Sequence, residues 1–203
     1  MDLHRLHALR PFAYHLTARE NLPGIRGQRM LRAARLLATS DADRALLHTK
    51  RKHSVAFASV LIRDQAPLFE GNIRFPEGFG FEDLLDVLNS HVFFWPGVEA
   101  GPIDHGRRHF ERYRQESIAI LRAPTRDLFA ANPEGVPHGC LYNSGSPRCS
   151  GGEKSPRGPD TFVPLEEMAA TPSKIVELTY RDAARLPPRT EVSSSPRGPW
   201  KPL

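Results

Sequence analysis

The chain has 203 residues, of which 39% are hydrophobic and 25% charged, and its 28 Lys and Arg outnumber 23 Asp and Glu to give a formal charge of +5. Those proportions are ordinary for a globular domain, while 19 prolines and 15 glycines predict many turns and long ordered loops and argue against a helical bundle. With only Cys140 and Cys149, neither a disulfide framework nor a four-cysteine zinc site can be built, and two reduced thiols are expected rather than one bridge.

Met1 to Pro11 carries His and Arg with no long apolar run, so it reads as neither a signal peptide nor a membrane span, and the cytoplasm is the default location. Pro11 to Thr17 is a short aromatic and apolar run suited to a buried strand. Thr17 stands three residues before Glu20, the spacing of a capping box, which predicts a short helix from about Arg19. Met30 to Leu37 alternates apolar pairs with arginines at helical spacing, and Asp41 to Lys50 is a second helix capped by Ser40 or Asp41. Ser54 to Ile62 is rich in β-formers, and Arg63 to Leu68 follows as a loop or edge.

Phe81 to Leu88 places Leu84, Leu85 and Leu88 on one helical face. His91 to Trp95 is the strongest strand signal in the chain, closed by Pro96-Gly97. A polar helix is expected over Gly106 to Glu116, a strand over Ser117 to Ala123, and a long loop over Asn143 to Asp160. Lys174 to Tyr180 reads as the last strand, after which residues 187–203 form a flexible Pro/Ser-rich tail beyond a domain spanning 1–186. Strands interspersed with short helices and long loops predict an α+β fold.

No phosphate-loop, dinucleotide-binding or zinc-protease motif is present. The order of elements is more informative. Tyr14-His15-Leu16-Thr17 leads into Asn21-Leu22-Pro23-Gly24-Ile25, an aromatic strand follows in the middle, and a lone acid, Glu177, sits in the closing apolar strand. This order resembles the ADP-ribosyltransferase superfamily, and within it the DarT group of toxins that ADP-ribosylate DNA. The resemblance touches most of the chain in order, with short and degenerate motifs, and Arg63 to Leu68 is similar to a second block of that group.

The resemblance implies a central split antiparallel or mixed sheet with short flanking helices, NAD as substrate, and a catalytic Glu177. It also implies a catalytic basic residue, for which Arg51 and Arg63 are the candidates. The chain departs from the family in having Phe93 and Phe94 where many relatives carry Tyr. By the same resemblance it would act as a toxin or defence factor with an antitoxin or immunity partner.

The physical logic stands beside the resemblance. Cleaving the nicotinamide–ribose bond develops positive charge that a carboxylate such as Glu177 can stabilise. His15 and Thr17 can hydrogen-bond a ribose, Phe93 or Phe94 can stack on nicotinamide, and Arg51 or Arg63 can pair with pyrophosphate. Alternation along a strand lets only one side of the Phe93-Phe94-Trp95 triplet line a pocket.

Each residue also has a plainer reading. His15 serves equally as a core histidine bonded to backbone, Thr17 as a helix cap, and Glu177 as a solvent-facing acid on an edge strand. Lys50-Arg51-Lys52-His53 serves as a solvated helix end, and Arg148 or Arg157 either bind phosphate or decorate a surface loop. His105 and His109 share a helical spacing without a third ligand, so no metal is expected. The basic charge makes DNA or RNA the first partner class and no membrane is implied. Three functions follow: an NAD-consuming mono-ADP-ribosyltransferase acting on nucleic acid, an NAD-using RNA 2′-phosphotransferase, or a non-enzymatic nucleic-acid-binding protein on the same fold.

Overall fold

The computed structural model describes residues 1–203 and has an α+β architecture, a mostly antiparallel sheet with several short helices. Nine strands make the main sheet: β1 (Phe12–Ala18), β2 (His91–Val98), β3 (Gly101–Pro102), β4 (Ile118–Pro124), β5 (Pro137–Cys140), β6 (Val163–Pro164), β7 (Glu177–Arg181), β8 (Glu191–Ser193) and β9 (Lys201–Pro202). Their spatial order is β6-β5-β7-β2-β1-β4-β8-β9, with β3 hairpinned onto β2. No helix is long and apolar enough to cross a membrane.

The sheet forks. β1 runs beside β4 for seven residue pairs, from Phe12↔Pro124 to Ala18↔Ile118. It meets β2 for only three, Phe12↔Gly97, Ala13↔Pro96 and Tyr14↔Trp95. Beyond Trp95 the other end of β2 turns to β7, from Leu178↔Phe94 to Arg181↔His91. A fork of this kind leaves backbone groups that the ladder no longer satisfies, which something else must bond.

Each face of the β1 region carries its own core. Ala13, Phe94, Leu121 and Leu178 belong to the larger cluster on one side, Tyr14, Leu16, Trp95 and Ile120 to the cluster on the other. Burial on both faces makes these central strands near-continuous apolar runs, as the sequence shows.

Helices α1 (Leu3–Leu9), α2 (Leu22–Gln28), α3 (Ala34–Leu37), α4 (Asp41–Leu47), α5 (Phe81–Asn89), α6 (Asp104–Arg112) and α7 (Thr125–Ala130) surround the sheet. In α4 the expected Ser40 cap is a reciprocal box, Ser40 accepting from Asp43 N–H at 3.0 Å. Gly106 lets α6 lie flush on β2, since a Cβ there would come within 2.6 Å of the Trp95 side chain.

Several expectations are corrected. Thr17 is no helix cap: it lies inside β1, and the 3₁₀ turn Arg19–Asn21 that follows has no side-chain cap. Met30 to Leu37 is not one helix, because Met30–Arg32 pairs as a strand with Ala183–Arg185 before the single turn of α3. The amphipathic spacing there is satisfied by alternation in the strand half instead. β2 does not close at Pro96-Gly97 but continues through them to Val98: Pro96 pairs with Ala13 of β1 past the end of the β2–β7 ladder, where a missing N–H is tolerated, and Gly97 pairs with both Phe12 and Pro102. β7 begins at Glu177 rather than Lys174. Residues 187–203 are no free tail: β8 pairs with β4, β9 with β8, and Glu191 bonds Arg122 at 2.6 Å. An unpaired β4 edge explains the recruitment.

Candidate functional site

A cavity of about 420 Å³ opens in the fork. Its walls are the ends of β1 and β2, the start of β7, the hairpin Val55–Ile62 with the segment after it, one face of α6, and the turn from Asn143 to Arg148.

Glu177 is 2% exposed at the cavity and sits on a strand flanked by β5 and β2, so it is not the edge-strand acid of the plainer reading. Its Oε2 accepts the Ser144 N–H at 3.2 Å. Burial raises its carboxyl to about 7, partly opposed by the Ser144 hydrogen bonds and by Arg157. Arg157 does not face the cavity. It is buried, stacks on Tyr142 at 3.9 Å, and donates to the carbonyls of Asn143 at 2.8 Å and Ser144 at 3.2 Å. That bolt holds the turn so that the Ser144 amide reaches the carboxylate. The phosphate role open to Arg157 is therefore corrected, while Arg148 does line the cavity.

His15 spans the fork. Its Nδ1 donates to the Phe93 carbonyl at 2.8 Å, where the β1–β2 ladder has parted. A carbonyl only accepts, so the proton sits on Nδ1 and Nε2 is left as an acceptor. Burial lowers the ring to about 4, so it is neutral at pH 7. Thus the backbone-bonded histidine and the cavity-lining histidine are one and the same.

Thr17 lines the same wall, and its Oγ1 accepts from Asn21 Nδ2 at 3.0 Å. Asn21 also clasps the hairpin, donating to Leu61 C=O at 2.9 Å and accepting Leu61 N–H at 2.8 Å. One buried carboxamide thus ties together two walls of the cavity.

Arg51 is 7% exposed, not part of a solvated helix end. Its Nε donates to Arg63 C=O at 3.2 Å and an NH donates to Asn89 Oδ1 at 2.9 Å, both neutral acceptors. Burial lowers it to about 10, with Asp64 the acid that opposes this. It remains a cation at pH 7, rigidly held at the cavity, with its ordered bonds going to neutral groups. Arg63 lines the cavity too, but it pairs with Glu116 at 2.8 Å and stacks on Tyr113 at 3.5 Å.

Phe93 lines the cavity and Phe94 does not: Phe94 is buried in the opposite core beside Tyr180. The cofactor-wall role for Phe94 is corrected, and the reason is strand alternation. Trp95, on the Phe93 side, also lines the cavity and stacks on His109 at 4.3 Å.

No cluster of three metal-ligating side chains exists, and burial lowers His109 to about 3. The cysteines are free, Cys140 buried and Cys149 exposed. Burial and Glu177 push the Cys140 thiol well above its usual range, which leaves it inert as a nucleophile. Six arginines line the cavity (Arg32, Arg51, Arg63, Arg108, Arg112, Arg148) against two carboxylates, Asp64 and Glu177. The site therefore favours an anionic ligand.

Sequence reasoning missed three features. The Asn21 clamp and the Ser144 amide leave no trace in composition, because each depends on a turn that closes far along the chain. The α6 face had a readable signal: His105, Arg108, His109 and Arg112 recur at helical spacing and all line the cavity.

Among known proteins, a family model described as "Family of unknown function (DUF7002)" matches residues 11–187. No curated protein and no solved structure matches the chain.

Proposed function

The chain belongs to the DUF7002 family, and on the geometry of its cavity we propose that it is an NAD-consuming mono-ADP-ribosyltransferase that modifies nucleic acid, on an ADP-ribosyltransferase-like fold. One observation carries the reading: a buried carboxylate and a buried guanidinium, Glu177 and Arg51, line a single cavity beside a neutral histidine. The forked sheet is the second support, being the split sheet that this class is expected to have.

The residues present fit NAD. Arg51 offers a fixed cation to the pyrophosphate, and His15 Nε2 and Thr17 offer hydrogen bonds to a ribose. Phe93 offers an apolar face to the nicotinamide ring. NAD supplies a glycosidic bond whose cleavage releases neutral nicotinamide with the bonding electron pair. Glu177, held by the Ser144 amide, stabilises the positive charge that develops on the ribose carbon. The same carboxylate then takes the proton lost by the acceptor as its nucleophile bonds that carbon. A value of about 7 suits both duties near neutrality.

The reading is tested by incubating labelled NAD with single-stranded DNA, duplex DNA, RNA and protein extract. Transfer to nucleic acid by the unmodified protein, lost with Glu177→Ala and reduced ~100-fold or more with Arg51→Met, is the expected result. Full activity of Glu177→Ala would sink the assignment of that residue. The six arginines around the cavity favour one further reading, an NAD-using RNA 2′-phosphotransferase. Loss of a 2′-phosphate from RNA, rather than label transfer, would select it.

A further inference from the structure

Outside the cavity, one aromatic ring is presented to solvent in an unusual way. Phe69 is 61% exposed, the most exposed large hydrophobic side chain of the protein. Its ring is nonetheless held: it lies so close over Gly71 that a Cβ there would come within 2.6 Å of the ring edge. One part of the ring is thus seated on backbone and the rest faces outward.

The surroundings are mixed aromatic and cationic. A shallow second groove contains Phe69 with Phe75 and Phe81, two lysines, Lys50 and Lys154, and one acid, Glu70. Leu68 borders both this groove and the Glu177 cavity, so the two depressions share a wall.

We propose that this groove binds single-stranded polynucleotide, with a base stacking on Phe69 and the phosphates flanking it paired with Lys50 and Lys154. A seated aromatic ring offers a π-face that every base can use, and lysines supply sequence-independent phosphate contacts. Two lysines against one acid in the groove, with a net charge of +5, favour a polyanion over an apolar protein segment. The groove would hold the acceptor strand next to the reacting cavity, and in that respect the proposal rests on the transferase reading.

The test uses the full chain and fluorescent 12-nucleotide single strands of DNA and RNA, measured by anisotropy across a salt series. Phe69→Ala is expected to weaken binding about tenfold or more with an unchanged salt slope. Lys50→Ala and Lys154→Ala are each expected to lower the slope by about 0.7. None of the three should alter nicotinamide release from NAD alone, since none lines the cavity. If all three variants bind as the unmodified protein does, or if no oligonucleotide binds, the proposal is overturned, whatever the outcome with NAD. If binding is lost as described but NAD is never consumed, the groove stands and the transferase reading falls. Unequal effects on the DNA and RNA strands would identify which polynucleotide is the natural one.

Discussion

Glu177 keeps a proton in the native chain up to about pH 7, whereas an ordinary glutamate releases it near 4.5. The contribution of Glu177 to native stability therefore falls as pH rises from 4.5 to 7, by about 3 kcal/mol for a shift of this size. Glu177→Gln removes the buried charge and keeps an acceptor for the Ser144 amide. This variant should melt several degrees above the unmodified protein at pH 8, with the gap closing toward pH 5, while nicotinamide release disappears. Calorimetry at the two pH values checks it, and equal melting temperatures at pH 8 would show that the carboxylate is already solvated. A fold improved by the replacement together with a reaction lost would be the signature of a functional group. Its sequence context displayed an acid between apolar neighbours, but its burial comes from β5, which no local pattern reveals.

At the scale of elements, the cavity depends on how its walls are joined. Asn21 binds Thr17 of β1 and both backbone groups of Leu61 in the hairpin. Asn21→Ala leaves the Leu61 N–H and C=O without these partners and should cost about 2–3 kcal/mol, a fall of roughly 5–10 °C in melting temperature. Hydrogen exchange at Leu61 should accelerate more than exchange in β4. Uniform acceleration throughout would mean that Asn21 supports the whole fold rather than the wall.

The elements differed in how readable they were. β1, β4, α5 and the Ser40 cap were visible because periodicity and local hydrogen bonds determine them. Met30 to Arg32 was not, since three residues become a strand only when Ala183 to Arg185 arrives from 150 residues away. Residues 187–203 misled for the same reason: their prolines and serines look unstructured until the edge of β4 is offered to Glu191–Ser193.

For the molecule as a whole, the half-buried histidines set the acid limit. His15 and His91 are lowered to about 4 and His109 to about 3, each chiefly by burial. Groups depressed in this way contribute stability above 6.5 that is lost as pH falls through 4 and toward 3. Glu177 acts in the opposite sense, so stability should peak near pH 6–7 and decline steeply on the acid side. Urea midpoints measured from pH 8 to pH 3.5 test this, and a flat profile below pH 6 would show the rings to be hydrated.

The fork itself carries a last implication. His15 lies on the first strand of the sheet and Glu177 on the seventh, and neither local hairpins nor adjacent helices bring them together. Every half-molecule made by cutting the exposed turn at Gly151-Gly152 therefore owns only part of the candidate site. Two such fragments, inert apart, would regain function only on reassociating, which makes the chain a natural reporter of whether two tethered partners have met.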